Sequence, residues 1–112
     1  MTTNKTTVAH CLKEPFDVYI GRRSPKHSES VWRNPYRIGP DGTREEVIVK
    51  HWDYLHRRPE LLARVEELRG KRLGCYCRLS TEKEPGCHGD NYIRVLEGLP
   101  APVLPPQQID LF

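Results

Sequence analysis

The chain has 112 residues, room for one compact core but not two, with a formal charge of +3 and 29% charged residues. That mild basic bias suits a phosphate-bearing partner without requiring one. No apolar run is long enough to span a membrane, and the polar opening Met1–Thr7 lacks the charged-then-apolar layout of a secretory signal. The expectation is a cytoplasmic protein with no membrane partner.

Taken in chain order, the first element is "VAHCL", residues 8–12, a short run suited to a strand, followed by the breaker "KEP" and a second strand in "FDVYIG", residues 16–21. Residues 22–34, "RRSPKHSESVWRN", show no hydrophobic period and read as a long polar loop, and Pro40-Asp41-Gly42 signals a turn. Thr43 and Glu46 have the spacing of a capping box. Val47, Ile48, Trp52 and Leu55 then recur at helical spacing and predict an amphipathic helix over 44–57. Pro59 suits the first turn of a second helix, with Leu61, Leu62, Val65 and Leu68 on its apolar stripe and Gly70 as its stop. "KRLGCYC", residues 71–77, predicts a buried strand. "HGDNYIRVLEGL", residues 88–99, predicts a helix burying Tyr92, Ile93, Leu96 and Leu99. Strands separated by helices imply an α/β domain of two or three layers, with a short, at least partly parallel sheet flanked by helices. Residues 1–99 form that domain on this reading, and 100–112 leave it as a proline-rich linker and extended terminal peptide.

Three of the four cysteines fall in "GCYCRLSTEKEPGCHGD", residues 74–90. In a reducing compartment clustered cysteines are more often ligands or reactive thiols than disulfides. Side chains two apart on a strand share a face, so Cys75 and Cys77 project together if the strand stays regular through Cys77. Cys87 and His88 follow at the start of the last helix, which can return them to the end of that strand. Cys75, Cys77, Cys87 and His88 then make a Cys3His set suited to structural, tetrahedral zinc. Two other readings stay open. The carboxyl end of a strand and the amino end of a helix are where open α/β sheets bind ligands, so Cys87 is a candidate nucleophile, with His88 or Asp90 as acid or base. Alternatively, these cysteines simply pack in the core. His10 and Cys11 join any of these if their strand lies alongside.

"DVYIGR", "NPY", "TREEVIVKHWDYLHRRPEL", "LRGKRLGCYC" and "CHGD" together resemble a small phage and bacterial family, domain of unknown function 4326, over about residues 8–98. The resemblance implies that Gly21, Arg22, Asn34, Pro35, Cys77, Cys87, His88, Gly89 and Asp90 occupy motif positions, and it implies no established reaction. The chain departs from the family pattern at Arg33, where a glycine is common, and in a longer loop before "CHGD".

Three loop residues fit a ligand site. Arg22 can pair bidentately with a phosphate or carboxylate, Trp32 can offer a stacking face to a base, and Asn34 can orient a polar group. Packing of Trp32 against the core edge is the competing expectation. The chain lacks a Walker loop, a GxGxxG and the motifs of a zinc deaminase. The end of the chain, Gln108-Ile109-Asp110-Leu111-Phe112, resembles the pentapeptide by which bacterial replication and repair proteins bind the sliding clamp. An exposed terminal Leu-Phe is an apolar liability unless it docks. By that resemblance Leu111 and Phe112 fill an apolar pocket, Ile109 packs nearby and the Gln108 amide orients the peptide.

Two functions follow. One is a zinc-stabilised protein of DNA replication that binds the sliding clamp through its tail, recruiting the domain or competing with clamp clients. The other is a small enzyme acting on a nucleotide or nucleic acid through a pocket formed by Arg22, Asn34 and the Cys87–Asp90 loop.

Overall fold

In the computed structural model, residues 5–82 and 84–104 are described. The elements run β1 (Thr7–His10), β2 (Val18–Tyr19), α1 (Arg44–His56), α2 (Pro59–Leu62), a 3-10 turn at Val65–Leu68, β3 (Arg72–Cys75) and α3 (Gly89–Glu97). This is an α/β fold with a three-stranded sheet of order β1-β3-β2, and both pairings are parallel. Central position explains the composition of β3. Leu73, Gly74 and Cys75 are all buried, as expected of a parallel strand covered on both faces. Gly74 is required there, because a Cβ would come within 2.5 Å of the Phe16 ring.

The register sets His10 opposite Cys75 and Tyr19 opposite Gly74, so all three strands finish at one edge of the sheet. That edge is where parallel sheets collect ligands. α1 begins as the sequence predicts. Thr43 Oγ1 accepts the Glu46 N–H at 3.2 Å, and Glu46 Oε1 accepts the Thr43 N–H at 2.8 Å. Val47, Ile48, His51 and Leu55 are its buried side chains. α3 packs against β1, α1 and the 3-10 turn. Its first residue, Gly89, lies so close to the sheet that a Cβ would stand 2.8 Å from Val8 Cγ2 and 2.9 Å from Ile20 Cδ1.

Four expectations need correction. The second helix closes after one turn and resumes as the 3-10 turn, although Leu61, Val65 and Leu68 are buried as the stripe predicts. β2 is two residues long, and after Ile20 donates its N–H to Gly74 O at 2.9 Å the chain passes into the long loop. β3 ends at Cys75, so Cys77 is not a strand residue. Leu99 is 47% exposed, since α3 stops at Gly98 in the left-handed conformation and leaves Leu99 beyond the helix.

Candidate metal centre and adjoining pocket

The carboxyl end of β3 and the amino end of α3 bring three sulfurs together. The Sγ atoms of Cys75, Cys77 and Cys87 all lie within 4.8 Å of one another, and Cys75 and Cys87 are 3.1 Å apart. A tetrahedral ion about 2.3 Å from each sulfur would hold them about 3.8 Å apart, a spacing between the 3.1 Å of Cys75 and Cys87 and the 4.8 Å limit on the trio. Three cysteines so placed can bind a metal ion. Backbone donors already point at two of them, Cys77 N–H to Cys75 Sγ at 3.4 Å and Gly89 N–H to Cys87 Sγ at 3.3 Å. Such bonds favour the thiolate, the form a metal takes. Cys75 and Cys77 still converge although the strand has ended, because the chain curls over Cys75 after its last ladder bond.

The electrostatics of the trio are coupled. Hydrogen bonds from Cys75 and Cys87 hold the Cys77 thiol far below its ordinary range, helped by the nearby His88 and Arg44. The same sharing, with burial, pushes Cys75 up to about 12 and Cys87 well above the usual thiol range. The sharing favours the thiolate at Cys77 and the thiol at Cys75 and Cys87, and a cation is what would let all three ionise. Cys11 is buried on the neighbouring β1 end, its N–H donated to Cys75 O at 2.9 Å, and its sulfur is not among the three.

His88 stands beside the cluster. Its Nε2 lies 2.8 Å from Ile20 O and 3.1 Å from Trp32 O. Two carbonyls can only accept, so Nε2 carries the proton and Nδ1 presents its lone pair, 3.9 Å from Cys87 Sγ. A ring whose remote N–H is donated to a backbone carbonyl has the posture of a metal-ligating histidine. Its nitrogen nevertheless falls outside the group of three. Behind it a chain of bonds fixes the ring. Tyr92 Oη–H donates to Trp32 O at 2.7 Å, His51 Nε2–H to Tyr92 Oη at 3.1 Å, and Asn91 Nδ2–H to His51 Nδ1 at 2.9 Å. Burial pulls His51 well below the ordinary histidine range and lowers His88 as well.

The remaining sequence candidates separate. Asp90, offered as an acid or base, is bound bidentately by Arg78 at 2.9 and 2.6 Å and accepts the Cys87 N–H at 3.1 Å. It anchors the loop to α3. Trp32, offered as a stacking face, is 4% exposed, edge-on to Tyr92 and covered by the Arg64 guanidinium. It is core, and no base can reach it. Asn34 is buried, donating to Val47 O at 3.2 Å and accepting the Tyr36 N–H at 3.0 Å, which fastens the loop to α1. Arg22 is half-buried and donates through Nη2 to the carbonyls of Asn34 and Tyr36.

Arg22, Asn34 and the three sulfurs nonetheless share one cavity of about 280 Å³, together with Arg23, Arg44, Tyr36, Tyr76 and His88. Two basic residues of this region were not singled out from sequence, Arg44 in the cavity wall and Arg78 outside it on Asp90. Arg44 had a readable signal, since a cation in the first turn of a helix opposes the macrodipole and needs another reason to be there. Arg78 had none: its carboxylate partner lies 12 residues on, across the loop. Gln108, Ile109, Asp110, Leu111 and Phe112 lie outside the described residues. No helix among the described residues is long and apolar enough to cross a membrane.

A curated relative, an uncharacterized protein of Acanthamoeba polyphaga mimivirus, is 34% identical over 80 residues, 65% of this chain and 61% of the relative. The chain thus spans less than two thirds of that relative's length. No solved structure matches significantly. The model described as Domain of unknown function (DUF4326) matches residues 3–98, the span that contains the sheet, the sulfur cluster and the basic cavity, and the chain belongs to that family.

Proposed function

We propose that this is a zinc-binding domain, and the observation that carries the reading is the convergence of Cys75, Cys77 and Cys87 within 4.8 Å. Three thiolates favour a soft or borderline ion, and zinc is the commonest occupant of such sets. His88 Nδ1, 3.9 Å from Cys87 Sγ, is the candidate fourth donor. On this reading the ion ties the end of β3 to the start of α3 and stabilises the fold.

A second reading concerns partners. The pentapeptide Gln108–Phe112 follows a stretch with prolines at 100, 102, 105 and 106. That composition supports a tether carrying a sliding-clamp-binding peptide, which would raise the concentration of the domain at replicating DNA in a bacterial cytoplasm, or compete with other clamp clients.

One experiment set tests both. Elemental analysis of the full chain, purified without a metal-affinity tag, is expected to give about one zinc per chain, lost in Cys77→Ser. A folded protein without metal would sink the zinc reading. Deletion of residues 108–112 is expected to abolish binding to a purified bacterial clamp at an unchanged melting temperature, and equal binding by the truncated chain would sink the tether.

A further inference from the structure

The cavity beside the sulfurs has an unusual charge balance. Arg22, Arg23 and Arg44 all line it, and no aspartate or glutamate does. Elsewhere Arg57, Arg58, Arg64, Arg69, Arg72 and Arg78 each pair with a carboxylate. Among the described residues no carboxylate comes within ion-pair distance of the three cavity arginines. Two of them bond to carbonyls. Arg22 uses one terminal nitrogen on Asn34 O and Tyr36 O, and Arg44 Nη1 donates to Gly86 O at 3.1 Å. Each guanidinium has five donor hydrogens in a fixed fork, so both keep donors for a ligand. Three thiolates around a divalent ion would carry one net negative charge, and three arginines outweigh it.

The rest of the cavity is largely aromatic and apolar, with Ser24, Asn34 and His88 as its polar members. Tyr36 and Ile38 line it on the loop side. Tyr76 lines it opposite, its ring 43% exposed and held by a 3.1 Å hydrogen bond from its Oη to Ser24 Oγ. A volume of about 280 Å³ is at the small end for ligand pockets. Cationic forks beside the exposed Tyr76 and the half-buried Tyr36 suit a ligand that is anionic at one end and flat and aromatic at the other.

We infer that the cavity between the β2–α1 loop and the cysteine cluster binds a nucleoside monophosphate, its phosphate held by Arg22, Arg23 and Arg44 and its base against Tyr76. This site uses the same wall as the proposed zinc centre, but it stands on the arginines and tyrosines and does not need the ion.

The test uses the full-length chain and three probes, AMP, adenosine and inorganic phosphate, followed by amide chemical shifts at low ionic strength. AMP is expected to move the signals of Gly21, Arg22 and Tyr76, with adenosine and phosphate each at least about tenfold weaker. Arg44→Gln and the exposed Arg23→Gln are each expected to weaken AMP by about tenfold, while the distant Arg57→Gln leaves it unchanged. Arg23→Gln matters because Arg22 also holds the loop together and its replacement could unfold it. No AMP shifts at these residues would overturn the inference. Inorganic phosphate or adenosine binding as tightly as AMP would overturn the nucleotide assignment. Metal analysis of the same sample separates the failures: a full zinc complement without AMP binding defeats the pocket alone, and AMP binding without metal defeats the zinc centre alone.

Discussion

Replacing Asp90 with asparagine tests whether this residue is structural or chemical. Its carboxylate makes two bonds to Arg78 and takes the Cys87 N–H, and the two side chains are 24% and 9% exposed. An amide keeps one oxygen, while its NH2 group turns toward either a guanidinium or an N–H, donor against donor. Hydrogen bonds to charged groups contribute about 1.5–3 kcal/mol each, and those between neutral partners about half as much. Losing one and halving another, with a discount for the solvent reaching Asp90, gives about 2–3 kcal/mol for Asp90→Asn. For a domain near 100 residues that is a fall in Tm of roughly 10–20 °C. Urea and thermal melts would measure it. Arg78 also donates to Glu82 O at 3.0 Å and Pro85 O at 3.1 Å, so the loop carrying Cys87 loosens with the pair. Exchange of bound metal with a chelator is then expected to quicken. A stability change below about 0.5 kcal/mol would refute the reasoning, because it would place the pair among ordinary exposed ones, which contribute about 0.2–1 kcal/mol.

Gly89→Ala is expected to destabilise by about 1–3 kcal/mol in the same melts, because the new methyl meets Val8 and Ile20 below 3.0 Å and the neighbours are core. A neutral result would mean that α3 shifts freely on the sheet. Stability should also fall in acid. His51 and His88 stay neutral when folded because burial lowers both. The unfolded chain, with histidines near 6.5, binds the extra protons below that pH. Their contribution is thus fully present above about pH 6.5 and shrinks as pH falls. From pH 7.5 to 5.5 the loss is roughly 1 kcal/mol for His51 and smaller for His88, and a melt indifferent to that change would contradict the buried network.

What could be read from the sequence was governed by local chemistry. The capping box, the apolar period of α1 and the burial of β3 are written in neighbouring residues, and Thr43, Glu46, Val47, Ile48 and Leu73 occupy the expected places. Convergence of Cys75, Cys77 and Cys87 was legible from spacing, although the strand that was to align the first two ends early. The histidine network was not legible, since His51, Asn91 and Tyr92 meet through the packing of α1 on α3, about 40 residues apart. The core position of Trp32 was one of two expectations between which the sequence alone did not decide. The return of its polar loop under His88 and Tyr92 is what buries it. The same holds for Arg78, whose role depends on a loop closing on itself.

The pairing of β1 with β3 also imposes an order on how the molecule comes into being. Thr7 aligns with Arg72, so the first strand made has no partner until about 65 more residues have been synthesised. β2 waits for the same strand. Closing contacts that distant is slow, and the chain leaving the ribosome can form α1 long before any part of the sheet. Cys87 lies later still. The sulfur site is therefore completed only after all three strands and Cys87 have been made, and any ion it takes is captured once the sheet can close, as a late step in the assembly of this domain.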